Sequence, residues 1–348
     1  MPVRSCASIV LAAGKGTRMR SNVPKVLHPL LGRPLVVHTV NALEKAGLSP
    51  IVVVVGHGAV HVRAAVGQRD GRVRFVEQRE QLGTGHATAV ARDALADFTG
   101  DVLVLPGDVP LVEPATLVQF LEAHRTGKAP VTVLTIRLPD PAHYGRIVRS
   151  DSGAVLRIVE ARDATPEELA IEEVNSGVYA VDARFLFSAL NRLDRENAQG
   201  EYYLTDIVAI ARNDGLEPAA WLHTRAEELA GVNDRAELAA AEARLRRTIN
   251  EQWMKQGVTI LDPNTTRIEL DVTLSQDVVL EPAVQLLGNT QVAEKVRIGT
   301  GTIARNLTIG RNTQIGPYCV LSETTLDADT VLPPFTHLQP TDRDRNHA

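Results

Sequence analysis

From residue 268 onward an aliphatic side chain returns at every sixth position: Ile268, Leu274, Leu280, Leu286, Val292 and Ile298. The series slips by one residue and resumes at Ile309, Ile315 and Leu321. It slips again and resumes at Leu326, Leu332 and Leu338. Small or β-branched residues follow four places later, at Val278, Val284, Thr290, Val296, Thr302 and Thr313. A six-residue period with an aliphatic at one corner is the mark of a parallel β-helix. Each short strand puts one aliphatic into the core, and the stacked turns bury it. With three hexads to a turn, Ile268–Leu338 makes about four turns. Three separate phases of hexads are hard to produce from ordinary strands by chance. The repeat ends in a polar tail, residues 339–348.

The first 233 residues have a different character. Short apolar runs alternate with helical patterns: Ser8–Ala13, then a helix over Leu35–Ala46, a strand over Pro50–Val55, a strand over Val73–Val76, a helix over Ala87–Leu95 and a strand over Asp101–Leu105. PIVVVV is β-branched and apolar throughout, as in a strand buried on both faces of a parallel sheet. The order predicts an α/β domain with helices on both sides of a mostly parallel, Rossmann-like sheet. Between the two regions, Asp234–Lys255 carries alanine and charge with no glycine or proline. It reads as a connector helix roughly 33 Å long, ended by Gly257. The expected divisions are 1–233, 234–257, 258–338 and the tail.

Composition narrows the function. A net charge of −5 is not the basic footprint of a general nucleic-acid binder. No apolar stretch reaches the roughly 18–20 residues of a spanning helix. The run after Arg4 is short and ends in GKGTRMR, unlike a cleavable signal. Cys6 and Cys319 make no disulfide framework. A reduced, cytoplasmic protein without nucleic-acid or membrane partners is expected.

Ligands of open α/β sheets bind beyond the carboxyl ends of the strands, so three loops carry most weight: 12–25, 78–86 and 106–110. In LAAGKGTRM, Leu11–Met19, a glycine-rich turn follows the first strand, and its backbone amides can close on a phosphate. Lys15, Arg18 and Lys25 add three cations that can neutralise phosphoryl charge. The alternative is a tight turn with solvated basic residues. Asp108 follows DVLVL directly and is placed to hold Mg²⁺, an ion that prefers oxygen ligands; an ordinary turn aspartate reads equally simply. Asn233 or Asp234 suits the N-cap of the connector helix. In QREQLGTGHA two glycines flank Thr84, which allows close approach of a base or sugar; a plain helix-entry loop is the alternative. Gln78 could read a base edge. There is no zinc-type histidine spacing and no GxSxG elbow.

Taken in order, LAAGKGTRMRSNVPKVLHPLLGRPLVVH, EQLGTGHA, GDVPLV, YGRIV, VEARDAT, VNSGVYA, NAQGEYYLTDIV and GVNDRAEL resemble the bifunctional N-acetylglucosamine-1-phosphate uridylyltransferase/glucosamine-1-phosphate acetyltransferase family, GlmU. The likeness runs from Ser8 to about Leu338. It implies a hexad helix of the left-handed kind, a homotrimer formed through it, and in-line attack of N-acetylglucosamine 1-phosphate on the α-phosphorus of UTP. It further implies that Leu11, Ala12, Ala13, Gly14, Gln78 and Gly83 hold the uridine part, and that Arg18 and Lys25 act on the triphosphate. Asp108 and Asn233 would share Mg²⁺, and Thr84, Gly145, Glu160 and Asn175 would hold the sugar. Pro106, beside Gly107 at the nucleotide, departs from the family pattern and leaves the nucleotide preference open. Glucose 1-phosphate or dTTP as substrates, or a paralogue without turnover, are the alternatives. The resemblance places the acetyltransferase site in hexads past Leu338, so no acetyl transfer is expected here, and His337 is given no catalytic role.

Overall fold

The computed structural model describes residues 5–339. The chain divides into two compact units: one runs to His28 and from Pro34 to Glu237, the other takes Pro29–Arg33 and the chain from Leu238 onward.

The first unit is built on a nine-stranded sheet. Its main path runs Ala219–Leu222, Val131–Arg137, Glu173–Asp182, Asp101–Pro106, Cys6–Ala12, Ile51–Val55 and Val73–Glu77. The last four strands are mutually parallel. Glu173–Asp182 is antiparallel to both of its neighbours. All five residues of Ile51–Val55 are buried, because each face of the sheet has its own apolar layer. Val10, Val53 and Leu105 pack with Val36, Leu117 and Phe120 on one side. Ile9, Val52 and Val104 pack with Leu186 and Ile207 on the other. Helices covering both faces leave no side for water, which explains the unbroken β-branched runs.

The helix expected over Ala87–Leu95 is instead Thr84–Ala89, followed by a single 3₁₀ turn at Asp93–Leu95. It starts earlier because Gly83 takes φ 106° and ψ 177° at the N-cap, a conformation open to glycine. The Thr88 hydroxyl donates to the Thr84 carbonyl.

The second unit holds three parallel sheets of five, five and four short strands, the faces of a short left-handed β-helix. Arg267 pairs with Gln285 and Gln285 with Ile303, a turn of eighteen residues. Ile303 then pairs with Val320 and Val320 with His337, a turn of seventeen. The two slips in the hexad series therefore lie at one corner, shortened in successive turns after Ile303–Arg305 and Val320–Ser322. Ala304, fully buried, fills the aliphatic slot that the series skips. Corner after corner uses a left-handed residue, among them Asp277, Lys295, Asn312, Tyr318 and Phe335. The small residues behind the corners seal the stack: the Thr302 hydroxyl donates to the Gly316 carbonyl and accepts from the Cys319 amide.

Pro29–Arg33 belongs to this unit. Leu31 is buried in the same apolar cluster as Ile249 and Ile268, and the Arg33 guanidinium pairs with Asp271.

Candidate active site

The first strand ends at Ala12, and the chain turns through Ala13–Gly16. Gly16 has φ +64°, and a Cβ there would stand 2.3 Å from Lys25 Cβ. Only glycine lets the loop pass this close to the Lys25 segment. Gly14 has no neighbour within 4 Å of its virtual Cβ, so its backbone is open. The loop is braced from behind: the His57 amide donates to the Ala13 carbonyl, and a Cβ on Gly56 would meet that oxygen at 2.8 Å.

In front of the loop lies a cavity of about 580 Å³, within the usual range for small-ligand sites. Leu11, Ala12, Ala13 and Gly14 form one wall with Lys15 and Lys25. Gln78, Gly83, Thr84, Pro106 and Asp108 come from the loops after the neighbouring strands. Glu160 and Asn175 close the far end. Arg18, Gly107, Gly145 and Asn233 do not line the cavity. The Gly107 amide donates to the Leu11 carbonyl, and the Gly145 carbonyl accepts from the Asn175 amide.

Asn233 is drawn into the cation cluster. Its Oδ1 accepts from Arg18 Nη2 at 3.0 Å and from Lys25 Nζ at 2.9 Å. Lys25 also forms an ion pair with Asp108. One ammonium thus bridges a carboxylate oxygen and a carboxamide oxygen. The cap question at the connector helix resolves in the same place. Helix Arg235–Lys255 is capped by Asp234, whose Oδ1 accepts from the Glu237 amide at 2.8 Å. In return Glu237 Oε2 accepts from the Asn233 amide at 2.6 Å. Asp234 does the capping, and the Asn233 side chain is left to face the cations. Its Nδ2 donates to the Gly231 carbonyl at 3.3 Å and lies 3.4 Å from His143 Nε2. Burial, then Arg18, push the His143 pKa down, which keeps that ring neutral and able to accept.

The far end is acidic. Glu160 accepts from the Thr205 hydroxyl at 3.4 Å, and burial pushes its pKa up. Asp206, next to Thr205 in the chain, is pushed up to about 6 by burial, with Asp194 and Asp163 adding to the rise. Asn175 Oδ1 accepts from the Gly177 amide at 2.9 Å, and its Nδ2 donates to the Tyr179 hydroxyl at 2.6 Å. Cations at one end and hydrogen-bonding carboxylates at the other suit a ligand with an anionic and a polyhydroxylated half.

Gly83 and Thr84 of the GTG turn line the cavity, and both glycines of the turn also pack against the protein's own backbone. A Cβ on Gly83 would stand 2.6 Å from the Tyr202 carbonyl, and one on Gly85 would stand 3.0 Å from it. The Gly85 amide donates to that carbonyl, and Thr84 Oγ1 accepts from the Leu204 amide. Gln78 Nε2 donates to the Gly83 carbonyl at 3.1 Å, leaving its Oε1 without a partner among the described residues. Pro106 is accommodated by a bulge in the facing strand between Asn175 and Val178. There Gly177, at φ +82°, leaves room that a Cβ would take to within 2.9 Å of the proline ring.

Sequence reasoning assigned no role to Tyr179, Gly177, Glu201, Leu204 or Thr205, all of which line the cavity. NAQGEYYLTD stood out as a segment without a stated task. Tyr179 gave no signal, since VNSGVYA reads as a buried strand. Among the described residues, no group of three or more His, Cys, Asp or Glu side chains could hold a metal, and no helix is long and apolar enough to cross a membrane.

Comparison with known proteins shows the family. Residues 8–252 match the model of the MobA-like NTP transferase domain. The chain is 44% identical over 338 residues to the bifunctional protein GlmU of Pelobacter propionicus, covering 97% of this chain and 73% of that one. It is 43% identical to that of Shouchella clausii, covering 96% and 72%. With that of Corynebacterium efficiens the figures are 46%, 97% and 70%. A nucleotide-transferase sheet, a glycine loop with its cations and a stacked hexad helix, joined in one chain at this level of identity, make the protein a member of the GlmU family.

Proposed function

We propose that the cavity binds UTP and N-acetylglucosamine 1-phosphate and converts them to UDP-N-acetylglucosamine and pyrophosphate. A phosphate oxygen of the sugar phosphate attacks the α-phosphorus of UTP in line. The bond from that phosphorus to the bridging oxygen breaks, and pyrophosphate leaves with the electron pair. No protein nucleophile is needed, so catalysis rests on positioning and charge stabilisation. The observation that carries the reading is the convergence of Lys25 with Asp108 and Asn233 beside the glycine loop.

In this reading Leu11–Gly14, Gln78 and Gly83 hold the uridine, with Pro106 and Gly107 at the same subsite. Arg18 and Lys25 draw charge off the triphosphate. Thr84, Gly145, Glu160 and Asn175 hold the sugar. Asp108 and Asn233 fit a shared Mg²⁺: both offer oxygen, both already converge on a cation, and two protein ligands suffice where phosphates and water complete the shell. Bound there, the ion would neutralise charge on the phosphate oxygens. With the ion held by Asp108 and Asn233, the Lys25 ammonium would be free to face the phosphates.

The proposal covers uridylyl transfer alone. Self-association as a trimer through the β-helix belongs with it, supported by its exposed apolar side chains. Phe335 is 75% and Val331 69% exposed, and Tyr318 stacks on Phe335 at 5.6 Å. Sedimentation analysis checks the trimer. For the activity, the protein is given each nucleoside triphosphate with each sugar 1-phosphate and Mg²⁺, and pyrophosphate is measured. Release restricted to UTP with N-acetylglucosamine 1-phosphate is expected. A preference for glucose 1-phosphate or dTTP would reassign the substrate and keep the chemistry.

A further inference from the structure

Tyr179 lies within strand Glu173–Asp182, opposite Val104. It is 2% exposed and packs in the same cluster as Ile9, Val104 and Ile147. By burial it is a core residue, yet it lines the cavity. Its hydroxyl oxygen accepts from Asn175 Nδ2 at 2.6 Å. A phenol has one proton to donate, and that bond does not use it. No acceptor takes the proton among the described residues. Burial and then the charge of Glu160 hold the phenol protonated, so the site always presents a donor. A buried donor without a partner carries a desolvation penalty that a ligand acceptor would relieve.

Asn175 is partly committed. Its Oδ1 accepts from the Gly177 amide, and one of its two Nδ2 hydrogens goes to the Tyr179 oxygen. Glu160, by contrast, receives only the long bond from Thr205, and a carboxylate can accept several hydrogens. This end of the cavity therefore offers the Tyr179 O–H as a donor, beside the second Nδ2 hydrogen of Asn175, and the Glu160 carboxylate as an acceptor. A secondary amide presents the complementary pair, one carbonyl and one N–H.

We propose that Tyr179 is a specificity-determining residue: its hydroxyl donates to the acetamido carbonyl of the sugar while Glu160 accepts the acetamido N–H. The proposal rests on assigning this end of the cavity to the sugar. A sugar with a plain hydroxyl in place of the acetamido group leaves the Tyr179 proton unmet. Sites built around a hydrogen bond reject analogues that lack the partner.

The test crosses a change in the residue with a change in the ligand. kcat/KM is measured for N-acetylglucosamine 1-phosphate and glucose 1-phosphate, in the wild type and in Tyr179→Phe. The variant keeps the ring in the core. We expect about a tenfold loss for the acetylated sugar, no more than about a twofold change for glucose 1-phosphate, and an unchanged KM for UTP. Calorimetry should give the same selective loss for UDP-N-acetylglucosamine and none for UDP. As a check that needs no variant, the N-thioacetyl analogue, whose sulfur accepts poorly, should lose about as much on the wild type. Equal losses for both sugars, or no loss for either, overturn the assignment; so does full activity with the thioacetyl analogue. A wild type that turns over neither sugar overturns the reading of the cavity itself.

Discussion

Gly16→Ala is the most informative single change to the phosphate loop. The new Cβ would stand 2.3 Å from Lys25 Cβ and 3.3 Å from Lys25 Cα. Carbon atoms prefer about 3.5–4.0 Å, so one of the two segments has to move by more than about 1 Å. The crowding atoms are at the root of the lysine, where rotation of the side chain gives no escape. The left-handed φ of +64° adds about 1–2 kcal/mol for any residue with a Cβ. Lys25 Nζ is then pulled from its partners, Asp108 and Asn233. Misplacement of a catalytic group by about 1 Å costs on the order of 100-fold in rate. Pyrophosphate release from UTP and N-acetylglucosamine 1-phosphate should therefore fall about 100-fold, with a thermal unfolding loss of about 1–3 kcal/mol. Gly14→Ala is the control, because its Cβ meets nothing within 4 Å. It should leave stability unchanged and act, if at all, on the KM for UTP. Gly16→Ala with near-normal turnover would refute the reasoning, since Lys25 would then tolerate displacement.

Other consequences are open to test. Lys25→Ala should cut kcat by about 10²–10³ and also lower the melting temperature, because the largely buried Asp108 loses its counter-charge; a large loss of stability with normal kcat would make Lys25 structural. Asp206 has a folded pKa of about 6, well above the usual aspartate value of about 3.8. Between those values the folded state binds more protons than the unfolded one, so stability falls as pH rises through the window. Asp206→Asn should flatten that slope and, allowing for partial exposure, stabilise the protein by about 1–2 kcal/mol above pH 6 and not at all at pH 3.5, as read from denaturant unfolding at several pH values. In the β-helix, Gly299→Ala would bring a Cβ to 2.5 Å from the Pro317 nitrogen of the next turn. Overpacking of this kind costs about 1–3 kcal/mol, and proteolysis of the hexad region should accelerate. Unchanged protease resistance would mean that the stack can spread.

The hexads were legible because one aliphatic per strand must point inward and nothing else satisfies a stacked core. The slips were legible too, but their cause was not. A corner shortened at the same place in consecutive turns is visible only once Ile303 is seen paired with Val320. The left-handed corners at Lys295, Tyr318 and Phe335 carry no local signal, since bonds between turns impose what intrinsic preference disfavours. Nor does PLLGRP announce that Leu31 packs with Ile249 and Ile268. In the first unit, strand ends pointed to the loops that line the cavity, because parallel sheets gather their ligands there. Asn233 could be read as cap or ligand until Asp234 was seen to do the capping. The sequence pointed to Gly83 as a ligand contact but not to the Tyr202 backbone that also packs beside it. Tyr179 was hidden by its own strand pattern: burial predicts a core ring, and only the bulge before Val178 brings Asn175 to its hydroxyl.

The central claim is that Lys25, Asp108 and Asn233 form the machinery of uridylyl transfer. Its most direct test follows the nucleotide. Protein, UTP and N-acetylglucosamine 1-phosphate are incubated with Mg²⁺, and the products are separated by ion exchange, for the wild type and for Asp108→Ala. The wild type should yield UDP-N-acetylglucosamine and pyrophosphate in equal amounts. The variant, folded by circular dichroism, should yield neither. UTP recovered intact from the wild type, or UDP-N-acetylglucosamine formed at a near-normal rate by the variant, would contradict the claim.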